Sequence, residues 1–174
     1  PLADMQAAGV AVAMGLDGCA LDEDDDGLRE LRLFHLLGRR PGYSANEHMT
    51  HAAALRAACV TGRAALGLQD GGVLEVGMPA DLLILDLDAL ERDTLMPVPA
   101  EDLLFARATT AHVVEVWASG RQVVRKGHVL GCDLDAAETS LRAAYRAGLP
   151  ATEPLRAVWP QLERAIGKHY QGCC

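Results

Sequence analysis

A single carboxylate follows an apolar run near the start of the chain. Residues 10–18 read VAVAMGLDG, so Asp17 comes directly after residues that are apolar on both faces, and Gly18 follows it. A run of this kind is typical of a buried strand in a parallel sheet. In an α/β barrel, catalytic side chains lie at the carboxyl ends of such strands. The pattern therefore predicts a functional carboxylate at Asp17, although Asp-Gly is also an ordinary turn sequence.

A cluster of acids follows over residues 22–26. Hard divalent cations prefer several oxygen ligands, but this run lacks the spacing of a calcium loop. Acids placed just before an amphipathic helix are explained by capping and by the helix dipole. We therefore expect Asp25 and Asp26 to begin a helix. Only Asp22, which is nearest to Asp17 and outside that helix, is kept as a candidate substrate-binding residue.

The other chemistry-bearing residue types form no motif. The six histidines never form HxH or HxxxH, and we expect His35 and His51 to be packing or surface residues. The five cysteines are scattered, with one adjacent pair at 173–174, which favours reduced thiols over disulfides or a CxxC metal site. Cys19 has no basic neighbour in sequence and is interpreted as a small wall residue. No GxSxG, Walker or GxGxxG motif is present.

The composition argues against several classes of partner. The net charge is −8, and no basic run is longer than GRR at 38–40, so no nucleic-acid interface is predicted. No apolar run approaches the roughly 20 residues that span a bilayer. The opening PLADMQAAGV lacks the basic segment and apolar core of a signal peptide. We expect a cytoplasmic protein with neither membrane nor nucleic-acid partners.

Hydrophobic periodicity predicts helix, strand and two further helices over residues 1–68. A first helix should stop at Gly9, and a buried strand should follow over 10–14. An amphipathic helix is predicted over 25–40. Thr50 can cap another helix that continues to residue 68. This order is typical of the edge of an α/β barrel.

The pattern changes after residue 68. A strand is predicted at Leu82 to Leu85, and residues 112–130 predict an antiparallel hairpin whose loop holds Ser119 and Gly120. Residues 88–111 lack one clear period and are expected to form an excursion with one helical turn. Residues 133–174 predict helices, the last of them interrupted by Pro160.

Five segments in this order resemble the C-terminal part of a metal-dependent amidohydrolase of the deaminase and chlorohydrolase branch. They read GVAVAMGLDG, LRELRLFHLL, ALRAACVTGRAALGL, GVLEVGMPADLLILD and VVEVWASGRQVVRKG. The patterns GxxxxGxxADLxxxD and VxxVxxxGxxVxxxG are the specific ones. The resemblance implies an α/β fold: the last strand and following helices of a (β/α)8 TIM barrel over 1–68, and strands of a small β-sandwich over 69–132. C-terminal helices would follow over 133–174.

The resemblance also implies the chemistry of Asp17. This residue would bind a divalent metal, zinc or alternatively iron, and would serve as the catalytic carboxylate that moves protons. A metal lowers the pKa of bound water to roughly 7. The implied reaction is hydrolysis of a C–N bond in a small N-heterocycle, a purine, pyrimidine or triazine, by attack on a ring carbon.

The remaining ligands of such a site are absent from the sequence. The family's paired HxH and its other histidines are missing, and a complete barrel needs about 250 residues. We therefore expect a fragment that is inactive alone and that needs the remainder of the barrel as its partner. A homo-oligomeric enzyme is a separate expectation. Two alternatives stay open. One is a non-catalytic partner chain or interaction module, and the other is an amidohydrolase that acts on a cyclic amide.

Overall fold

The computed structural model describes residues 2–16, 24–38 and 49–171. The chain divides into two compact units, Pro1–Leu130 and Gly131–Cys174, and each is described by itself. Among the described residues, no helix has the length and apolar character needed to cross a membrane. The predicted division of the first unit near residue 68 stays a prediction.

Two helices occur in the first described ranges, and both were predicted. Helix α1 spans Leu2–Ala7, and the turn after it contains Gly9 at a φ of 75°. Helix α2 spans Gly27–Leu37. The Oδ1 atom of Asp26 caps α2 by accepting the N–H of Leu28 at 3.0 Å and that of Arg29 at 3.3 Å. The predicted helix start at the acid cluster is therefore confirmed.

The strand predicted over residues 10–14 does not form. Residues 10–16 have no regular secondary structure and are exposed or half-buried. A strand needs a neighbouring strand that pairs with its N–H and C=O groups. The part of the chain that the structure describes places no such neighbour beside this segment. Its backbone contact instead runs from the Met14 N–H to the carbonyl oxygen of Ala57, at 3.3 Å.

The helix predicted after Thr50 is confirmed, with a wider turn in its middle. Helix α3 spans His51–Arg56, a π-helical segment spans Ala57–Thr61, and helix α4 continues over Gly62–Ala65. The hydroxyl oxygen of Thr50 caps α3 by accepting the Ala53 N–H at 3.1 Å. Below, "the π turn" means residues 57–61.

Four strands form one antiparallel sheet in the order β1-β2-β3-β4. Strand β1 spans Leu82–Leu85, β2 spans Val113–Ala118, β3 spans Arg121–Arg125 and β4 spans His128–Val129. Ser119 and Gly120 connect β2 to β3 with φ values of 49° and 77°. Two positive φ values in a two-residue loop are typical of a type I′ hairpin turn. The predicted strand and hairpin are confirmed.

The excursion predicted over residues 88–111 is more helical than expected. Helix α5 spans Leu87–Glu91, helix α6 spans Ala100–Arg107, and one 3₁₀ turn spans Thr110–His112. Short helices are stabilised mainly by burial against other elements and not by their own periodicity. Leu103 and Phe105 of α6 are only 2% and 4% exposed, which explains why α6 forms without a clear sequence pattern.

Two clusters of buried side chains form the core of the first unit. One joins α2, α3 and α6 through Leu31, Met49, Ala54 and Phe105. The other joins α5 and α6 through Leu90, Leu103 and Ala108. The helices are therefore packed on each other by a small core, and Met14 is partly buried against the first cluster.

The second unit contains one long helix, α7, over Leu134–Tyr170. The predicted interruption at Pro160 was wrong, because α7 runs without a break through Pro150, Pro154 and Pro160. Each proline removes one helical hydrogen bond, and such a loss is costly where the freed carbonyl is buried. No residue of α7 is buried, so water can satisfy these carbonyls.

Candidate functional site

Both predicted site residues, Asp17 and Asp22, lie outside the described residues, and so does Cys19. The structure does describe the chain on either side of them, over residues 10–16 and 24–38. The surroundings of the candidate site are therefore built from these two flanking segments and from the elements that hold them.

The segment before Asp17 is held by the π turn. The carbonyl oxygen of Ala57 accepts two N–H groups, one from Gly62 and one from Met14. The first bond closes the wide π-helical turn, and the second fixes the backbone three residues before Asp17. The helix therefore holds Met14 through backbone atoms, whatever side chains the two residues carry.

The segment after Asp22 is held by hydrogen bonds of two acids. Asp24 accepts the Asp26 N–H at 2.9 Å and pairs with the Arg29 guanidinium. Asp26, which is 9% exposed, caps α2 with one oxygen and accepts the Thr110 N–H at 2.6 Å with the other. Asp26 thus begins the helix, as predicted, and Asp24 supports the same turn, whereas Asp25 is exposed.

The ionised form of Asp26 is favoured by its donors. Burial alone would raise the pKa of this carboxyl, but N–H groups of Thr110, Leu28 and Arg29, with the Thr110 side chain, lower it below its usual value. Hydrogen bonds to a carboxylate stabilise its charged form and lower its pKa. Asp26 is therefore a structural anion that joins α2 to the 3₁₀ turn before β2.

One group of three potential metal ligands occurs among the described residues: His51, Glu101 and Asp102, whose ligand atoms lie within 4.8 Å of one another. The Nδ1 atom of His51 is 3.4 Å from an oxygen of Asp102. Both acids stand in the first turn of α6, where the helix dipole favours negative charge. The His51 ring stacks on Phe105 with centroids 4.2 Å apart. Helix electrostatics and ring packing explain this group without a metal.

His35 belongs to the same aromatic cluster. It is buried, and its ring centroid lies 4.7 Å from that of His51 and 4.9 Å from that of Phe105. The expectation that His35 and His51 are packing or surface residues agrees with these contacts.

Arg63 of α4 links the helix to the start of the sheet, and its role was missed in the sequence. Its guanidinium donates to Asp81 at 2.9 Å and to the side chain of Asp70 at 3.3 Å. Asp81 also accepts the Ser119 N–H at 2.7 Å, which holds the turn between β2 and β3. Asp81, the acid of the ADL pattern, therefore has a structural role. The ADL pattern was the sequence signal that could have indicated this role.

An open, mostly apolar groove of about 320 Å³ lies along residues 73–82. Its lining includes Leu74, Val76, Met78 and Leu82, with Glu75 as the one ionisable side chain. Catalytic pockets combine apolar walls with several convergent polar groups. This groove lacks them and is not the candidate site.

Comparison with known proteins identifies the family to which this chain belongs. Residues 1–130 match the model of the Amidohydrolase family, so the chain belongs to that family. The resemblance seen in the sequence is thereby confirmed.

Three relatives show which members it is similar to. The chain is 37% identical over 148 residues to a 5-methylthioadenosine/S-adenosylhomocysteine deaminase of Halobacterium salinarum, covering 84% of this chain and 33% of that protein. It is similar in structure to an adenosine deaminase from Xanthomonas campestris with bound zinc, with 34% identity, a TM-score of 0.70 and coverage of 81% and 32%. It is also similar in structure to an atrazine chlorohydrolase from Arthrobacter aurescens complexed with zinc, with 26% identity and a TM-score of 0.71. That match covers 82% of this chain and 31% of the other. The chain spans about a third of the length of these relatives.

Proposed function

We propose that this chain is part of a metal-dependent hydrolase that removes the exocyclic amino group from the adenine ring of a nucleoside. The observation that carries the proposal is the pair of identities to deaminases named for adenine nucleosides, 37% and 34%, against 26% to the triazine-ring enzyme.

We assign residues 1–68 to the last strand and following helices of a (β/α)8 barrel, and residues 69–132 to strands of a small β-sandwich. The TM-scores of 0.70 and 0.71 to amidohydrolase structures support this assignment. Residues 10–16 would then pair with barrel strands contributed by other residues of the whole protein. A cytoplasmic location and a homo-oligomeric state stay predictions.

Asp17 is proposed as a metal ligand and as the catalytic carboxylate. A carboxylate oxygen is an ordinary zinc ligand, and catalytic zinc uses three protein ligands and one open position. Asp17 fits such a centre as one ligand, and other residues of the whole protein would supply the rest. When bound, the metal would supply a water molecule of lowered pKa.

The carboxylate of Asp17 would then transfer a proton from the water to the leaving group. It would accept the proton of the attacking water and deliver it to the leaving amino nitrogen, so that one side chain serves as base and then as acid. Asp22 would contact the substrate, because it lies five residues beyond Asp17 and before the α2 cap.

The test is ammonia release by the complete gene product loaded with zinc. The panel contains adenosine, 5′-methylthioadenosine, S-adenosylhomocysteine, cytosine, an aminotriazine and a cyclic amide. We expect release from the adenine nucleosides and none from the cyclic amide, and we expect the 174-residue chain alone to be inactive. Ammonia release from only the aminotriazine or cytosine would contradict an adenine nucleoside as the substrate and would indicate that other ring instead. Hydrolysis of only the cyclic amide would contradict deamination.

A further inference from the structure

We propose that α7 pairs with the α7 of a second copy of this chain, as an antiparallel two-helix coiled coil. Helix α7 spans Leu134–Tyr170 and lies outside residues 1–130, the part of the chain that matches the family model. The pairing is independent of the proposed function, because no residue of α7 is assigned to the catalytic site.

Helix α7 needs a packing partner. It has 37 residues, none of them buried, and at about 1.5 Å per residue it is roughly 55 Å long. It also contains three prolines, and proline is the least favourable residue in a helix interior. Helices in proteins are stabilised mainly by packing of an apolar face, and propensity contributes less. We therefore expect the apolar face of α7 to be covered.

The apolar face of α7 repeats every seven residues. Leucines occupy four of five successive a positions, with Gly148 at the fifth: Leu134, Leu141, Leu155 and Leu162. Small apolar side chains occupy the d positions, three residues after each a position: Ala137, Ala144, Ala151, Val158 and Ala165. Apolar residues at a and d of a heptad are the pattern of a coiled coil.

The strict period indicates what kind of element covers this face. A straight helix drifts about 20° per heptad from a seven-residue repeat, or about 100° over five heptads (5 × 20°). The a and d positions would therefore turn away from a flat surface, whereas a second helix that supercoils with α7 can follow them along its whole length.

The side chains on this face are available for such a contact. Leu141, Leu155 and Leu162 are 70%, 55% and 43% exposed, and Tyr145 and Trp159 lie beside them, four residues after an a position, at 69% and 52%. The prolines stand at other positions of the heptad, c, f and g, and so lie off this face: Pro150, Pro160 and Pro154.

A second α7 has the length that this face requires. Among the described residues, the next longest helix is α2, with 11 residues. A facing strip about 55 Å long and 10 Å wide gives about 550 Å² per copy, or about 1,100 Å² in total. A specific interface buries at least about 1,000 Å². Two copies of α7 therefore provide enough surface for a stable pair.

The sizes of the side chains favour the antiparallel direction. In an antiparallel pair, a positions meet d positions, so Leu141 meets Val158 and Leu155 meets Ala144 in one register, and every leucine layer contains a small partner. A parallel pair would instead alternate leucine-only layers with alanine layers of much smaller volume. Cores pack best where large and small side chains face each other.

The charges at the two ends favour the same direction. The first turn of α7 contains Asp135, and its last turn contains Lys168. Antiparallel pairing places the acidic end of one copy beside the basic end of the other, and it also aligns the two helix dipoles favourably.

The first experiment measures the mass of the complete gene product by sedimentation equilibrium. Leu141→Glu/Leu155→Glu places charges at two a positions, and Ala143→Glu/Ala157→Glu adds the same charge at exposed c positions on the opposite side of α7. Burial of each leucine contributes strongly to association, so we expect the dissociation constant to rise at least about 100-fold in the leucine variant. Its mass should be half that of the wild type, and the alanine variant should keep the wild-type mass.

Equal masses of the wild type and both variants would overturn the proposal. A leucine variant that keeps its mass but has a lower Tm would overturn it as well, because the apolar face would then pack against another part of the same protein.

The second experiment uses cross-linking and covers the case in which the leucine variant does not fold. Ser140 and Gln161 are exposed g positions, and g positions meet g positions of the partner in an antiparallel pair. We expect Ser140→Cys/Gln161→Cys to form a covalent dimer on mild oxidation, whereas the wild type and each single variant stay monomeric under denaturing conditions. No covalent dimer in the double variant would overturn the pairing, and equal cross-linking in a single variant would overturn the antiparallel direction.

Discussion

The Asp26 carboxylate accepts the backbone N–H of Thr110 at 2.6 Å across 84 residues of sequence. With its other oxygen it caps α2, so one side chain joins the helix that follows the candidate site to the turn that begins β2. A partly buried carboxylate with several N–H donors is costly to remove, because the donors are left without a partner.

Replacement of Asp26 by alanine should destabilise the protein. It removes the cap of α2 and the bond to Thr110, and caps and charged hydrogen bonds contribute about 1–3 kcal/mol. We expect the free energy of unfolding to fall by about 2 kcal/mol, measured by urea denaturation of the complete gene product. Asp25→Ala is the matched control, since Asp25 is exposed and adjacent. A loss of the same size in the control would contradict the role of Asp26.

The contribution of Asp26 should depend on pH with a definite sign. Its pKa is lowered in the folded protein, so its contribution is present above the unfolded pKa of about 3.9 and disappears as the pH falls through the folded value. Asp26→Asn cannot titrate at this position. The difference in Tm between wild type and Asp26→Asn should therefore be constant from pH 7 to pH 5 and shrink below about pH 4. A difference that stays constant down to pH 3 would exclude this linkage.

Removal of the Asp81 side chain should lower the stability of the protein without changing its catalytic rate. Asp81 accepts from Arg63 and from the Ser119 N–H, so Asp81→Ala leaves both donors without this partner. Because the site is partly exposed, we expect a loss of about 1 kcal/mol in stability, measured as a decrease in Tm. Asp88→Ala, an exposed acid in the first turn of α5, is the control and should have a smaller effect. A wild-type Tm in Asp81→Ala would contradict this structural role.

The group at His51 should hold no metal. His51→Phe preserves an aromatic ring against Phe105 but removes the nitrogen ligands, so we expect unchanged zinc content by elemental analysis of the complete gene product. Asp17→Asn should lower zinc content in the same assay. Loss of one equivalent of zinc in His51→Phe would show that this group is a metal site after all.

Elements with local signals were predictable from the sequence. The caps at Asp26 and Thr50 and the hairpin turn at Ser119 and Gly120 depend on residues within three or four positions of each other, and the structure contains all of them. The family was also predictable, because each of its sequence patterns lies within one short stretch of the chain.

Features that depend on distant contacts were not predictable. Helix α6 forms because Leu103 and Phe105 are buried. The segment at 10–16 forms no strand because no segment that the structure describes pairs with it. The role of Arg63 follows from contacts with other segments, and residue type alone does not specify those contacts.

The most direct test of the proposed function is the rate of ammonia release from an adenine nucleoside by the complete gene product, measured for the wild type and for Asp17→Asn. A positioned acid–base group contributes about 10²- to 10⁴-fold, and loss of a metal ligand adds to this. We expect Asp17→Asn to retain the wild-type Tm of the metal-free protein and to be at least about 1000-fold slower. Ammonia release at the wild-type rate by Asp17→Asn would contradict the account.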